Sequence, residues 1–157
     1  MKTAKFNLIV PNFTGIWDSL IHLTKPWSAK LTSIEGIEER PASHFIAELG
    51  DPSIFHSPKS LVSLAGIAAQ AWCSGASEKR PESLKKRNPY LRTIAYFMAL
   101  SCIRKNTPLK SYYHLLIAKD KPKMVAVIVI ARKLLHVIYH VLNNKPYMPE
   151  KLGTGSK

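Results

Sequence analysis

The chain is short of acid, of cysteine and of long apolar runs. Each shortage excludes something. Two cysteines in 157 residues, Cys73 and Cys102, cannot build a disulfide scaffold and fit a reducing compartment. The longest uninterrupted apolar run, Met124 to Ala131, is stopped by Arg132 and Lys133. A spanning helix needs about 20 residues, so no membrane span is expected. The segment from Met1 to Val10 has no small-residue cleavage site and does not read as a signal peptide. Only 10 acidic residues face 23 Lys and Arg, a net charge of +13.

That excess is lopsided. Residues 1–78 hold 6 basic and 7 acidic residues, whereas residues 79–157 hold 17 and 3. A half-chain that repels itself this strongly points to a polyanionic partner, nucleic acid first and an anionic surface second. With 46% hydrophobic residues there is enough apolar material for one ordinary core.

The apolar spacing predicts an all-α fold. Ala42, Phe45, Ile46 and Leu49 fall on one helical face, and Gly50 stops the turn. Ser57-Pro58 starts a helix, with Ser57 as cap and Pro58 in the first turn, and Asn88-Pro89 and Thr107-Pro108 each open another. The stripes that follow are Leu61, Leu64, Ala65 and Ala68; then Leu91, Ile94, Ala95, Met98, Ala99 and Cys102; then Leu109, Tyr112, Tyr113 and Leu116. Pro122 opens the longest helix, which runs to Leu142. Val125 and Val129 add to its stripe, so its first half is expected to be buried all round, and Arg132 within it is expected to need a partner. Val125 to Ile130 would also suit a buried strand, but the pattern continuing to Leu142 favours helix. Residues 1–27 show no clean period and read as an arm, and 153–157 as a disordered tail.

Several segments could carry chemistry. Ile34-Glu35-Gly36-Ile37 has the pattern of a helix-hairpin-helix turn, which aims backbone N–H groups at a phosphate. It also fits a tight turn that only shapes the fold. Glu38 stands where such hairpins carry a second glycine, and Glu39 follows. The loop from Cys73 to Arg87 contains Ser74 and Gly75. A serine hydroxyl needs a base or a stabilised anion before it attacks anything, so the residues alone make Ser74 an ordinary loop serine. Lys79, Arg80, Lys85, Lys86, Arg87 and Arg92 form a basic run suited to neutralising phosphates. Trp72 and Tyr90 flank it and could stack on bases or anchor the loop. Lys119 to Lys123, with Arg132 and Lys133 further on, form a second basic group. His136 and His140 have a metal-capable spacing but no third ligand nearby, so a surface or half-buried pair is expected.

Taken in order, these segments resemble the C-terminal domain of insertion-sequence transposases of the 110/116/902 class. The resemblance runs through Ile34-Glu35-Gly36-Ile37, Phe45-Ile46-Ala47-Glu48-Leu49-Gly50-Asp51-Pro52-Ser53-Ile54-Phe55, Leu64-Ala65-Gly66-Ile67 and Ser74-Gly75. It continues through Asn88-Pro89-Tyr90-Leu91-Arg92, Lys121-Pro122-Lys123 and Ala131-Arg132-Lys133-Leu134-Leu135, covering roughly residues 31–149 in collinear order. The resemblance implies a transposase domain over 31–149, an arm or remnant over 1–30 and a tail over 150–157.

It further implies DNA transposition, with Ser74 as the nucleophile that forms a phosphoserine link to DNA. Gly36, Gly75, Arg80, Lys85, Lys86, Arg87, Arg92, Lys123 and Arg132 are then the expected DNA-binding residues. In that family Mg²⁺ is held by four acidic residues of a RuvC-like nuclease domain, a structured RNA guides the choice of DNA, and the protein acts as a multimer. Residues 1–30 have Asp18 as their only acid, so this chain is expected to bind no metal itself and to be a truncated copy, doubtful as a standalone enzyme. It departs from the family at Glu38, at Ala69-Gln70-Ala71-Trp72-Cys73 before the serine, and at Arg87, where a glycine usually precedes Asn88. The alternative is a non-catalytic nucleic-acid-binding fragment of a degenerate transposase; a third reading is a remnant that barely folds. DNA, a guide RNA and intact transposase subunits are the expected partners, and a cytoplasmic, nucleoid-associated location follows.

Overall fold

A computed structural model describes residues 24–67, 88–105 and 107–145. Among these residues every regular element is helical, as the spacing predicts. Helix α1 covers residues 24–32 and is followed by a turn into α2 (Glu39–Leu49). A single 3₁₀ turn (Pro52–Ile54) leads to the short α3 (Pro58–Leu64). Then come α4 (Pro89–Arg104), α5 (Pro108–Ala118) and α6 (Lys123–Leu142).

The helix boundaries have local causes. Gly50, at φ 74°, ends α2 and its N–H donates to the Ile46 carbonyl. The Asp51 carboxylate accepts from the Ser53 N–H at 2.8 Å and starts the 3₁₀ turn. Ser57 caps α3 by accepting from the Ser60 N–H, with Pro58 in the first turn. Asn144, at φ 59°, follows the end of α6.

Helix α6 is the centre of the fold and packs against α3, α4 and α5. Ile130, Leu134, Leu135 and Ile138 are fully buried on it, facing Leu61, Leu91, Met98 and Leu109 of the same core. Each such side chain contributes roughly 1.5–3 kcal/mol by leaving water.

Two expectations for this helix change. Its first half is not buried all round: Met124 is 62% exposed and Ile128 42%. The packed helices cover only one side of that half. Arg132 is exposed rather than buried, so hydration removes its need for a partner. By length and composition α6 reaches the range of a spanning helix, which the short uninterrupted run had excluded, but half of its apolar window is buried inside the bundle. It also carries Arg132 and Lys133 at mid-length.

The apolar pattern did not predict helix α1. Residues 24–32 are helical across the expected boundary at residue 30, with Leu31 fully buried and Trp27 packed against the core.

Candidate nucleic-acid interface

The segment 68–87 lies outside the described residues. Ser74, Gly75, Arg80, Lys85, Lys86 and Arg87 are on it, as are Trp72 and Cys73. What the structure does define is the corner from which that segment leaves and to which it returns. The Ile67 N–H donates to the Val62 carbonyl, and the Asn88 N–H donates to the Leu64 carbonyl at 3.1 Å. Both flanks are therefore tied to the last turn of α3.

Asn88 organises this corner. Its Oδ1 accepts from the N–H groups of Tyr90 (2.9 Å) and Leu91 (3.0 Å), capping α4. Its Nδ2 donates to the Glu48 carboxylate at 2.9 Å, which joins α2 to the same point. One side chain thus links α2 and α4 while its backbone holds α3.

The capping has a further consequence. Pro89 has no N–H, Tyr90 and Leu91 are capped, and the Arg92 N–H donates to the Asn88 carbonyl. The start of α4 therefore has no N–H group left over for a phosphate. Cationic side chains must supply that attraction. Arg92 is exposed here, with its Nε donating to the Ala65 carbonyl at 3.1 Å. That bond fixes the guanidinium plane and leaves its outer N–H groups for another acceptor. Tyr90, beside it, is 69% exposed, so its ring does not serve as an anchor in the core.

Gly36 sits at the opposite end of α4. It is buried at φ 99°, and a Cβ there would meet the Cys102 Cα at 2.8 Å and Sγ at 2.9 Å. The Cys102 thiol donates to the Glu35 carbonyl at 3.4 Å, and the Thr107 hydroxyl to the Cys102 carbonyl at 2.9 Å. Burial pushes the Cys102 thiol up to about 12, so it stays protonated. The turn is thus a close-packed joint between the α1–α2 connection and α4. No side chain caps α2, and Glu38 and Glu39 place two carboxylates at its N-terminus. Glu38 lies 3.7 Å from Lys105, with both side chains exposed.

The other two described candidates are on α6. Lys123 and Arg132 are both exposed. Nine residues of helix put them about 13 Å apart and on opposite sides. Gly36 and Arg92 are likewise separated by about 15 Å of α4, the rise from Arg92 to Cys102. The four described candidates therefore do not converge on one point.

A group that sequence reasoning did not assemble does converge. Arg132, His136 and His140 lie at successive four-residue steps along α6, and α3, which packs against α6, brings the charge of Lys59 to bear on His136. The His136 imidazole is held below its usual range by burial, and then by the positive charges of Arg132, His140 and Lys59. Only the histidine spacing was visible beforehand, because Lys59 is 77 positions away in the chain.

Among the described residues no three His, Cys, Asp or Glu side chains could hold a metal ion together.

Comparison with known proteins bears on these features. The model of the Transposase IS116/IS110/IS902 family matches residues 28–114. The chain is similar to the Insertion element IS110 uncharacterized 43.6 kDa protein of Streptomyces coelicolor, at 25% identity over 83% of this chain and 32% of that protein. It is also similar to the Pilin gene-inverting proteins of Moraxella bovis and Moraxella lacunata, each at 30% identity over 74% of this chain and 37% of the relative. The chain thus spans about a third of the length of these relatives.

Proposed function

Because the chain belongs to the IS116/IS110/IS902 transposase family, we propose that it is the DNA-engaging, serine-bearing part of a DNA transposase, with Ser74 as the nucleophile. The observation that supports this most is the extent of the family match. Residues 28–114 include Ser74-Gly75, the basic run over 79–87 and the Asn88 corner in one stretch. Two of the relatives are named for inverting a pilin gene, which is a DNA rearrangement.

In this reading the Ser74 oxygen bonds to the phosphorus of a DNA phosphodiester. A sugar oxygen leaves as a hydroxyl, taking up a proton in exchange for the one the serine gives up. The phosphoserine keeps the energy of the broken bond for strand exchange. Gly75 leaves room for the substrate backbone. Arg80, Lys85, Lys86 and Arg87 neutralise phosphates beside Ser74, and Arg92 adds a fixed charge at the corner. Lys123 and Arg132, on opposite sides of α6, would serve other parts of the DNA. Gly36 contributes through the backbone of its turn. Acidic metal ligands would come from another domain or subunit, and a guide RNA and further transposase copies are the partners this reading expects.

A trapped covalent adduct is the test. The chain is mixed with an intact relative's nuclease domain and end-labelled DNA, then denatured. A DNA adduct that disappears in Ser74→Ala supports the reading, and an adduct that persists in that variant removes Ser74 as nucleophile. The departures at Glu38, at 69–73 and at Arg87 favour a second reading, a non-catalytic nucleic-acid-binding fragment. It expects salt-dependent DNA binding and no adduct under any supply of metal.

A further inference from the structure

We propose that Lys59, Arg132, His136 and His140 form a second phosphate-binding surface, which holds the sugar–phosphate backbone of a DNA duplex. The proposal rests on the chain's engagement with DNA, but not on Ser74 or on any chemistry there.

The surface is built by the packing of α3 against α6. Arg132, His136 and His140 follow one another at four-residue steps, a straight row about 12 Å long on a single helix. Lys59, at the start of α3, adds a cation from the side. Lys59, Arg132 and His140 are exposed and His136 is half-buried. Among the described residues neither Lys59 nor Arg132 is paired with a carboxylate. The charges acting on His136 are Arg132 and His140 from its own helix and Lys59 from α3, all positive or able to become so. No described carboxylate, and no charge from α4 or α5, acts on it.

Grouping like charges without a counter-ion costs energy that a bound anion removes. A rigid row fits a duplex backbone, whose phosphates are held in a regular line, better than a strand that changes shape. Apart from Arg132, nothing in the row offers the bidentate pairing that reads bases, and charge set against phosphates carries no sequence information, so binding here would be indifferent to sequence. The surface also lies near the corner from which segment 68–87 leaves. Lys59 and Ala65, which accepts from Arg92, stand about 9 Å apart along α3. Cations thus extend across α3 to the corner where segment 68–87 leaves.

A bound phosphate favours the imidazolium form, so His136, whose imidazole burial and nearby positive charges hold below its usual range, takes up a proton on binding. Affinity therefore rises as pH falls from 7.5 to 5.5.

Fluorescence anisotropy of a labelled, arbitrary-sequence duplex tests this with the 157-residue chain. Each phosphate contact contributes about 0.9 to the slope of log K against log[salt]. The double variant Lys59→Ala, Arg132→Ala is expected to lower that slope by about 2 and weaken binding roughly tenfold at moderate salt. Both side chains are exposed, so the core is left alone and circular dichroism should match the parent. The charge-conserving Lys59→Arg, Arg132→Lys should keep the parental slope. His136→Gln with His140→Gln should abolish the tightening at pH 5.5 that the parent shows, although the other four histidines remain. An unchanged slope and affinity in the folded alanine variant overturns the proposal, as does a loss confined to single-stranded RNA. If the parent binds no duplex at all, the DNA reading falls with it. If only the Ser74 adduct fails while the slope responds, this surface stands alone.

Discussion

The two ends of α4 are joined to the rest of the molecule by different means. At the Cys102 end the joint is steric: Gly36 lies so close that a methyl group would strike backbone, and the surrounding charge is mixed, Glu35, Glu38 and Glu39 against Lys105. At the Asn88 end the joint is polar: one amide side chain and two backbone bonds hold α2, α3 and α4, and the charge outside is basic. The first end carries no net positive charge to draw a phosphate. The second is where the segment carrying Ser74 is attached. Shape specifies the one joint, and exchangeable hydrogen bonds specify the other.

The sharpest way to break the contrast is Gly36→Ala. The residue would hold a φ of 99° that L side chains avoid, and its Cβ would meet Cys102 Cα at 2.8 Å. Left-handed strain and overpacking together should cost about 3 kcal/mol or more, read as a fall in the urea midpoint. The same change should expose Cys102. In a Cys73→Ser background, Ellman's reagent at pH 8 should leave the parental Cys102 unmodified until the chain opens, because burial lifts its thiol to about 12. Gly36→Ala should speed that reaction. Gly50→Ala is the matched control: its φ of 74° is strained too, but nothing lies within 4 Å of the new Cβ. About 1–2 kcal/mol is expected there from the backbone alone, since its ψ of −140° also falls outside the left-handed helical well. Equal losses at the two glycines would refute the steric account of the Gly36 joint.

Asn88→Ala comes next. It removes the cap from Tyr90 and Leu91 and leaves Glu48 without its donor. Thermal unfolding should show a loss of about 1–2 kcal/mol. Asn88→Asp keeps the cap but sets a second carboxylate beside Glu48, so it should recover only part of that. Full recovery by Asp would show that the link to α2 contributes nothing.

These two joints also show what can be read from a sequence. The Asn88 cap and the proline starts at 58, 89 and 108 were legible because capping is decided within four residues. The helix interiors were legible from their stripes. The role of Gly36 was left between two readings, since the neighbour that excludes a Cβ is Cys102, 66 positions away. Residues 24–27, within the stretch that lacked a clear period, belong to a helix that buries polar Thr24 and Ser28 beside Leu31. The exposure of Met124 and Ile128 was missed for a related reason: how many helices surround α6 is a tertiary matter that no stripe encodes. The family resemblance pointed to Ser74 where residue chemistry alone did not. The group around His136 was invisible to both, because it is made by α3 meeting α6.

The smallest expected effect tests whether the two ends of α4 differ towards DNA as well as in how they are built. Arg92 and Lys105 are both exposed cations on or beside this helix, and composition treats them alike. Their surroundings do not. Arg92 is bonded to a carbonyl and borders the basic segment, whereas Lys105 is within 3.7 Å of Glu38 and near Glu35. In duplex binding, Arg92→Ala should reduce the salt slope by about 1 and weaken affinity a few-fold, whereas Lys105→Ala should leave both unchanged. Neither change should move stability by much, since an exposed ion pair such as Lys105–Glu38 contributes about 0–1 kcal/mol. A slope that falls equally in both variants would mean that the acidic end touches DNA too, and the hairpin-type reading of the Gly36 turn would regain its footing despite Glu38 and Glu39.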